Sequence, residues 1–68
     1  LVKIEALATE GAASWNRLVD AVRLLNAGTV QGEPLTTAQK GNIRNRAKTA
    51  LTNIEGTITA IRAEIGSS

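Results

Sequence analysis

The chain has 68 residues, a formal net charge of +2 and a single tryptophan, and it lacks cysteine, histidine, methionine, tyrosine and phenylalanine. Disulfide staples, thiolate or imidazole metal sites and histidine-activated nucleophiles are therefore excluded, and the six scattered carboxylates form no calcium loop. A single domain this small is marginally stable alone, so association or docking into a larger assembly is the remaining way to hold it.

The first predicted element is a helix over about residues 3–27. Ile4, Ala8, Gly11, Trp15, Leu18, Val22 and Leu25 recur at alternating spacings of four and three, the rhythm of a helix seam, and Leu7, Val19 and Leu24 widen it. Glu5, Glu10, Asn16, Arg17, Asp20 and Arg23 fall mostly on the other side, with Asp20 three residues from both Arg17 and Arg23. Gly11 and Ser14 lower helix propensity within "TEGAAS". Trp15 is expected as a core anchor, or else as the centre of an interface. Asn26 and Gly28 supply the stop, because glycine takes the left-handed conformation that ends helices.

The break "GTVQGEPL", residues 28–35, holds two glycines and the only proline and shows no strand pattern. Pro34 disfavours helix at Glu33, and Thr36 with Gln39 matches a capping box, so a second helix is predicted from about residue 37 to 65. Its stripe is Ala47, Leu51, Ile54, Ile58, Ile61 and Ile65. The expected fold is all-α: two long helices in one module, folded back as an antiparallel hairpin. No apolar run approaches the roughly 20 residues of a membrane span, and Lys3, Glu5 and Glu10 interrupt the first turns where a signal peptide would be apolar. The start at Leu1 fits a processed terminus or a piece of a longer chain.

The isoleucine stripe has two readings. It packs on the first helix of the same hairpin, or it is shared between hairpins. With Leu51, Ile58 and Ile65 at a positions, Ile54 and Ile61 fall at d, and isoleucine at both disfavours parallel dimers and favours trimers or tetramers. Two helices alone enclose no core, which favours an oligomeric bundle or coiled coil, with a homotrimer preferred. Trp15, Leu18, Val22, Leu51, Ile54, Ile58, Ile61 and Ile65 are the candidate interface.

One charge cluster stands out. Lys40, Arg44 and Lys48 are four apart on a shared helix face, with Arg46 beside them and no acid between Glu33 and Glu55. Such a row suits a phosphate backbone, an acidic partner or plain solvent, and Asn42 and Asn45 offer hydrogen bonds. The absence of interleaved aromatics argues against stacking on single strands, and the break is too long for a tight helix-turn-helix. No carboxylates pair at a useful spacing, the serines have no base, and no glycine-rich phosphate loop occurs. Neither catalysis nor a cofactor is expected.

The stretch "LLNAGTVQGEPLTTAQKGNIRNRAKTAL", residues 24–51, resembles small helical proteins and fibre segments of bacteriophage virions, in which a helix, a Gly/Thr-rich break and a "PLTTAQK"-type helix start are familiar in style. The resemblance implies an oligomeric structural role in the virion or tail, beside other structural proteins, and transfers no functional residue. The expectation is a non-enzymatic assembly module located in the virion, or otherwise in the cytoplasm. The alternatives are a small nucleic-acid-binding protein using Lys40, Arg44 and Lys48, and an adaptor hairpin that docks on a different protein.

Overall fold

The computed structural model describes residues 2–67. It is a helical hairpin: α1 runs Val2–Ala27, a two-residue ladder pairs β1 (Thr29–Val30) with β2 (Glu33–Pro34), and α2 runs Thr37–Ser67. The helices have 26 and 31 residues, and the Cα trace measures 50 × 16 × 12 Å. The molecule is a rod two helices wide and one helix thick.

Local chemistry sets each boundary. Gly28 has φ 70°, and its N–H donates to the Leu24 carbonyl at 3.0 Å, the single bond of a left-handed helix cap. At the start of α2, the Thr36 N–H donates to Gln39 Oε1 at 2.9 Å while the Gln39 N–H donates to Thr36 Oγ1 at 3.1 Å. The predicted capping box is therefore formed, and both helices span their expected ranges within two residues. "TEGAAS" is continuous helix.

The break differs from its expected irregular form. Thr29 pairs with Pro34 and Val30 with Glu33 around a two-residue turn in which Gln31 and Gly32 both have positive φ, 51° and 80°. That conformation matches the twist of an antiparallel pair. The sequence hid it because each strand has only two residues, too few for an alternation to appear. Leu35 follows, donates its N–H to the Gly28 carbonyl at 2.9 Å, and folds its side chain onto Ala21 and Ile43 to close the loop end of the core.

The seam between the helices is offset from the predicted stripes. Lys3 Nζ lies 3.0 Å from a Glu64 oxygen, and a Cβ on Gly11 would lie 3.2 Å from Thr57 Cγ2, so eight residues along α1 match seven back along α2. The α1 residues in this seam are Ile4, Leu7, Gly11, Ser14, Leu18, Ala21 and Leu25, all buried or half-buried. On α2 they are Ile43, Ala47, Ala50, Ile54, Thr57, Ile61 and Glu64. Continuing the register brings Ser14 level with Ile54 and Leu18 with Ala50, a large group opposite a small one in each, and Leu25 level with Ile43.

In each helix one of the two predicted rows has moved by one residue. Leu7, Ser14 and Ala21 replace Ala8, Trp15 and Val22; Ala50, Thr57 and Glu64 replace Leu51, Ile58 and Ile65. Trp15 is consequently no core anchor: it is 57% exposed. Small seam residues let two helices approach closely, and close approach rotates the larger neighbours out of the seam. The resulting core is thin. Of the five buried residues, Ser14, Ala21 and Ala50 are small, and no side chain is fully enclosed among the described residues.

Candidate assembly surface

The rotation that empties the seam of large groups gathers them on one flat side of the rod. On α1, Ala8, Trp15 and Val22 lie one residue after the seam row Leu7, Ser14 and Ala21. On α2, Leu51, Ile58 and Ile65 lie one residue after Ala50, Thr57 and Glu64. In two antiparallel helices with this seam, positions just after these rows fall on the same side of the pair. Exposure agrees: Trp15 is 57% exposed, Val22 41%, Leu51 44%, Ile58 45% and Ile65 61%. Ala12 and the half-buried Val19, each one residue beyond a seam position of α1, extend the same strip.

The strip is continuous along the rod. The register puts Leu51 level with Arg17, Ile58 with Glu10, and Ile65 with Lys3. Large apolar groups therefore extend from Val22 at one end to Ile65 at the other, roughly 30 Å at 1.5 Å per residue, centred near Ala12 on α1 and Glu55 on α2. Lys48, Glu55 and Arg62 edge it on the α2 side and Glu5 on the α1 side, the charged border expected around an apolar contact surface.

The opposite side is built differently. A shallow groove of about 560 Å3 runs between the helices there, rimmed by Arg17, Asp20, Asn42, Asn45, Arg46 and Asn53 over an apolar floor of Ala21, Leu24, Ile43 and Ala50. The large exposed apolar side chains of the helix pair thus lie on one broad side, while on the other charged and amide groups rim a groove with a small apolar floor.

The eight predicted interface residues divide into two sets. Trp15, Val22, Leu51, Ile58 and Ile65 lie together on the exposed strip; Leu18, Ile54 and Ile61 are half-buried and face the partner helix inside the hairpin. Ala8 and Val19 were read from sequence as part of the first helix's stripe, but Ala12 was missed. The available signal was its spacing of three residues from Trp15, which keeps it on the tryptophan's side of α1, and a methyl side chain gave that signal little hydrophobic weight.

Lys40, Arg44 and Lys48 are all exposed in the first turns of α2. Arg44 continues the row of Leu51, Ile58 and Ile65 toward the loop, and Lys48 borders the same face. The rod is also polar in charge along its length. The loop half carries Arg17, Arg23, Lys40, Arg44, Arg46 and Lys48 against Asp20 and Glu33; the open half carries Lys3 and Arg62 against Glu5, Glu10, Glu55 and Glu64. Among the described residues there is no group of three or more metal-ligating side chains, and no helix is long and apolar enough to cross a membrane.

Comparison with protein-family models, with curated proteins and with solved structures returned no match.

Proposed function

We infer that this hairpin is a non-enzymatic assembly module whose work is done by the exposed apolar strip. The observation that carries this reading is the placement of Trp15, Val22, Leu51, Ile58 and Ile65 on one side of the rod, each at least two-fifths exposed. Covering the exposed half of each large side chain is worth about 1 kcal/mol apiece by area, a substantial gain for a core this thin. The likeness of residues 24–51 to helical phage virion and fibre segments supports the finer reading, a structural component of a virion or tail that associates with itself and with neighbouring structural proteins.

Molar mass by light scattering across a concentration series tests the core of this reading. Mass should rise above that of one chain within the micromolar range. A folded monomer throughout that range would overturn self-assembly.

A second reading has one observation in its favour, the excess of cations in the loop half of the rod. It makes the protein a nucleic-acid binder that uses Lys40, Arg44 and Lys48. Duplex binding would then fall steeply with salt and weaken when Arg44→Gln and Lys48→Gln are combined. Failure to bind duplex at low salt would remove it.

A further inference from the structure

We propose that the strip is covered by a second copy of the same hairpin, laid antiparallel to the first about a twofold axis near Ala12 and Glu55, so that Trp15 of each copy seats on Ala8 and Ala12 of the other. The proposal rests on the assembly reading above and names its partner and geometry.

Three features of the molecule carry it. The first is size. With the axis near Ala12 and Glu55 the rods overlap from the open end to about Leu24, roughly 35 Å at 1.5 Å per residue, and over the 16 Å width this is roughly 550 Å2 of projected area per copy, on the order of what a small specific interface needs. Two rods stacked on their broad sides make a four-helix bundle, in which each helix gains the second neighbour that the hairpin alone lacks.

The second is shape. Trp15 is the largest side chain on the strip, and the α1 surface just before it carries only Ala8 and Ala12, both exposed. A protruding group and a flat patch lie within two turns of each other on one helix. A twofold operation makes each contact twice, so a surface that pairs with itself needs its projection and its recess on opposite sides of the axis. The axis at the centre of the strip meets that need: residues three or four beyond Ala12 in one copy meet residues three or four before it in the other. The same operation pairs α2 with α2, so that Leu51 of one copy comes to lie near Ile58 of the other.

The third is charge, which chooses between the two ways of stacking. With the loops at the same end, the cation-rich loop halves would lie together, with Arg44 and Lys48 of each copy on the contact side. With the loops at opposite ends, those two cations lie over the half whose charges bordering the strip are Glu5, Glu55 and Arg62. Opposite potentials then meet along the rod, and wrong pairings are penalised. A trimer built around one isoleucine seam is a poorer match, because Ile54 and Ile61 are engaged inside the hairpin and only Leu51, Ile58 and Ile65 remain outward.

The chain has no cysteine, so single thiols report the geometry directly. Ala12→Cys and Gln31→Cys both alter exposed residues. Each variant is treated with a short bismaleimide at a concentration where light scattering gives the mass, with helix content checked by circular dichroism. The antiparallel dimer predicts a dimeric mass, efficient cross-linking through Ala12→Cys, and none through Gln31→Cys, whose two copies would be on the order of 50 Å apart. On unmodified protein, dilution should shift the lone indole's emission to longer wavelength as Trp15 is uncovered. Trp15→Ala should weaken association at least ~30-fold. A dimer that cross-links through Gln31→Cys is parallel and overturns the proposal, as does a trimer, or a dimer that cross-links at neither position; all three leave the assembly reading standing. A monomer that stays folded at all concentrations overturns both.

Discussion

Gly11 packs against Thr57 across the seam: a Cβ added to Gly11 would lie 3.2 Å from Thr57 Cγ2. Thr57 cannot easily turn its methyl away, because its hydroxyl donates to the Asn53 carbonyl at 2.9 Å and so holds the rotamer. Gly11→Ala thus combines a helix-propensity gain of about 1 kcal/mol with crowding of similar size. The single substitution should leave thermal stability nearly unchanged. In a Thr57→Ser background the crowding methyl is gone, and Gly11→Ala should then stabilise by about 1 kcal/mol. Equal effects in both backgrounds, measured by chemical denaturation, would show that the contact is not what determines the choice of glycine.

The turn between the strands holds Gln31 at φ 51°, a conformation that side chains with a Cβ adopt at a cost of about 1–2 kcal/mol and that asparagine tolerates better. Gln31→Asn should raise the unfolding midpoint, by an amount approaching 1 kcal/mol, without altering association. Gly32→Ala, at φ 80°, should lower it. Opposite signs at adjacent exposed positions would verify the turn geometry, since neither side chain is buried.

The reciprocal Thr36–Gln39 bonds are the only side-chain partners for the first amides of α2 among the described residues. Thr36→Ala should cost about 1 kcal/mol, and Thr36→Asp should restore most of it, because aspartate also caps. Helix content followed by circular dichroism during melting reads this directly. A Thr36→Ala protein as stable as the parent would mean that solvent caps the helix equally well.

Ile54 and Ile58 differ by four residues and by which surface they serve. Ile54 is half-buried toward α1, whereas Ile58 is 45% exposed on the strip. Ile54→Asn should unfold the hairpin at any concentration, by 2 kcal/mol or more on the scale of core substitutions (about 2–5). Ile58→Asn should lower the oligomer's stability while sparing helix content at high concentration, and Thr59→Asn should do neither. If Ile54→Asn and Ile58→Asn had the same concentration dependence, the division between seam and strip would be wrong.

The Lys3–Glu64 bridge is 3.0 Å long, but the lysine side chain is 73% exposed. Solvent screens a pair of this kind, so Lys3→Gln should change stability by less than about 0.5 kcal/mol in physiological salt. A larger loss, seen as a shift in midpoint that persists at high salt, would point to packing by the lysine stem.

Much of the fold was legible in the chain itself. The 3.6-residue period, Gly28 as a left-handed cap, and Thr36 with Gln39 as a capping box all act over four residues or fewer. Neighbours in the chain therefore settle them, and both helices ended where those residues placed them. The two-strand ladder in the break escaped notice because it has no alternation to read, only a turn whose first residue is glutamine and not the usual asparagine or glycine.

What only the tertiary structure decided is the rotation of each helix about its own axis. From sequence, Trp15, Val22, Leu51 and Ile58 outweigh Ser14, Ala21, Ala50 and Thr57 in any hydrophobic pattern, and the seam is drawn through the larger set. In three dimensions the smaller set wins the seam, since Gly11, Ser14, Ala21 and Ala50 let the backbones come close, and close helices exclude water along the whole contact. The displaced large residues then share one side of the rod. That side exists only because two helices agree on a register, a relation between residues as far apart in the chain as Lys3 and Glu64 that no local period encodes.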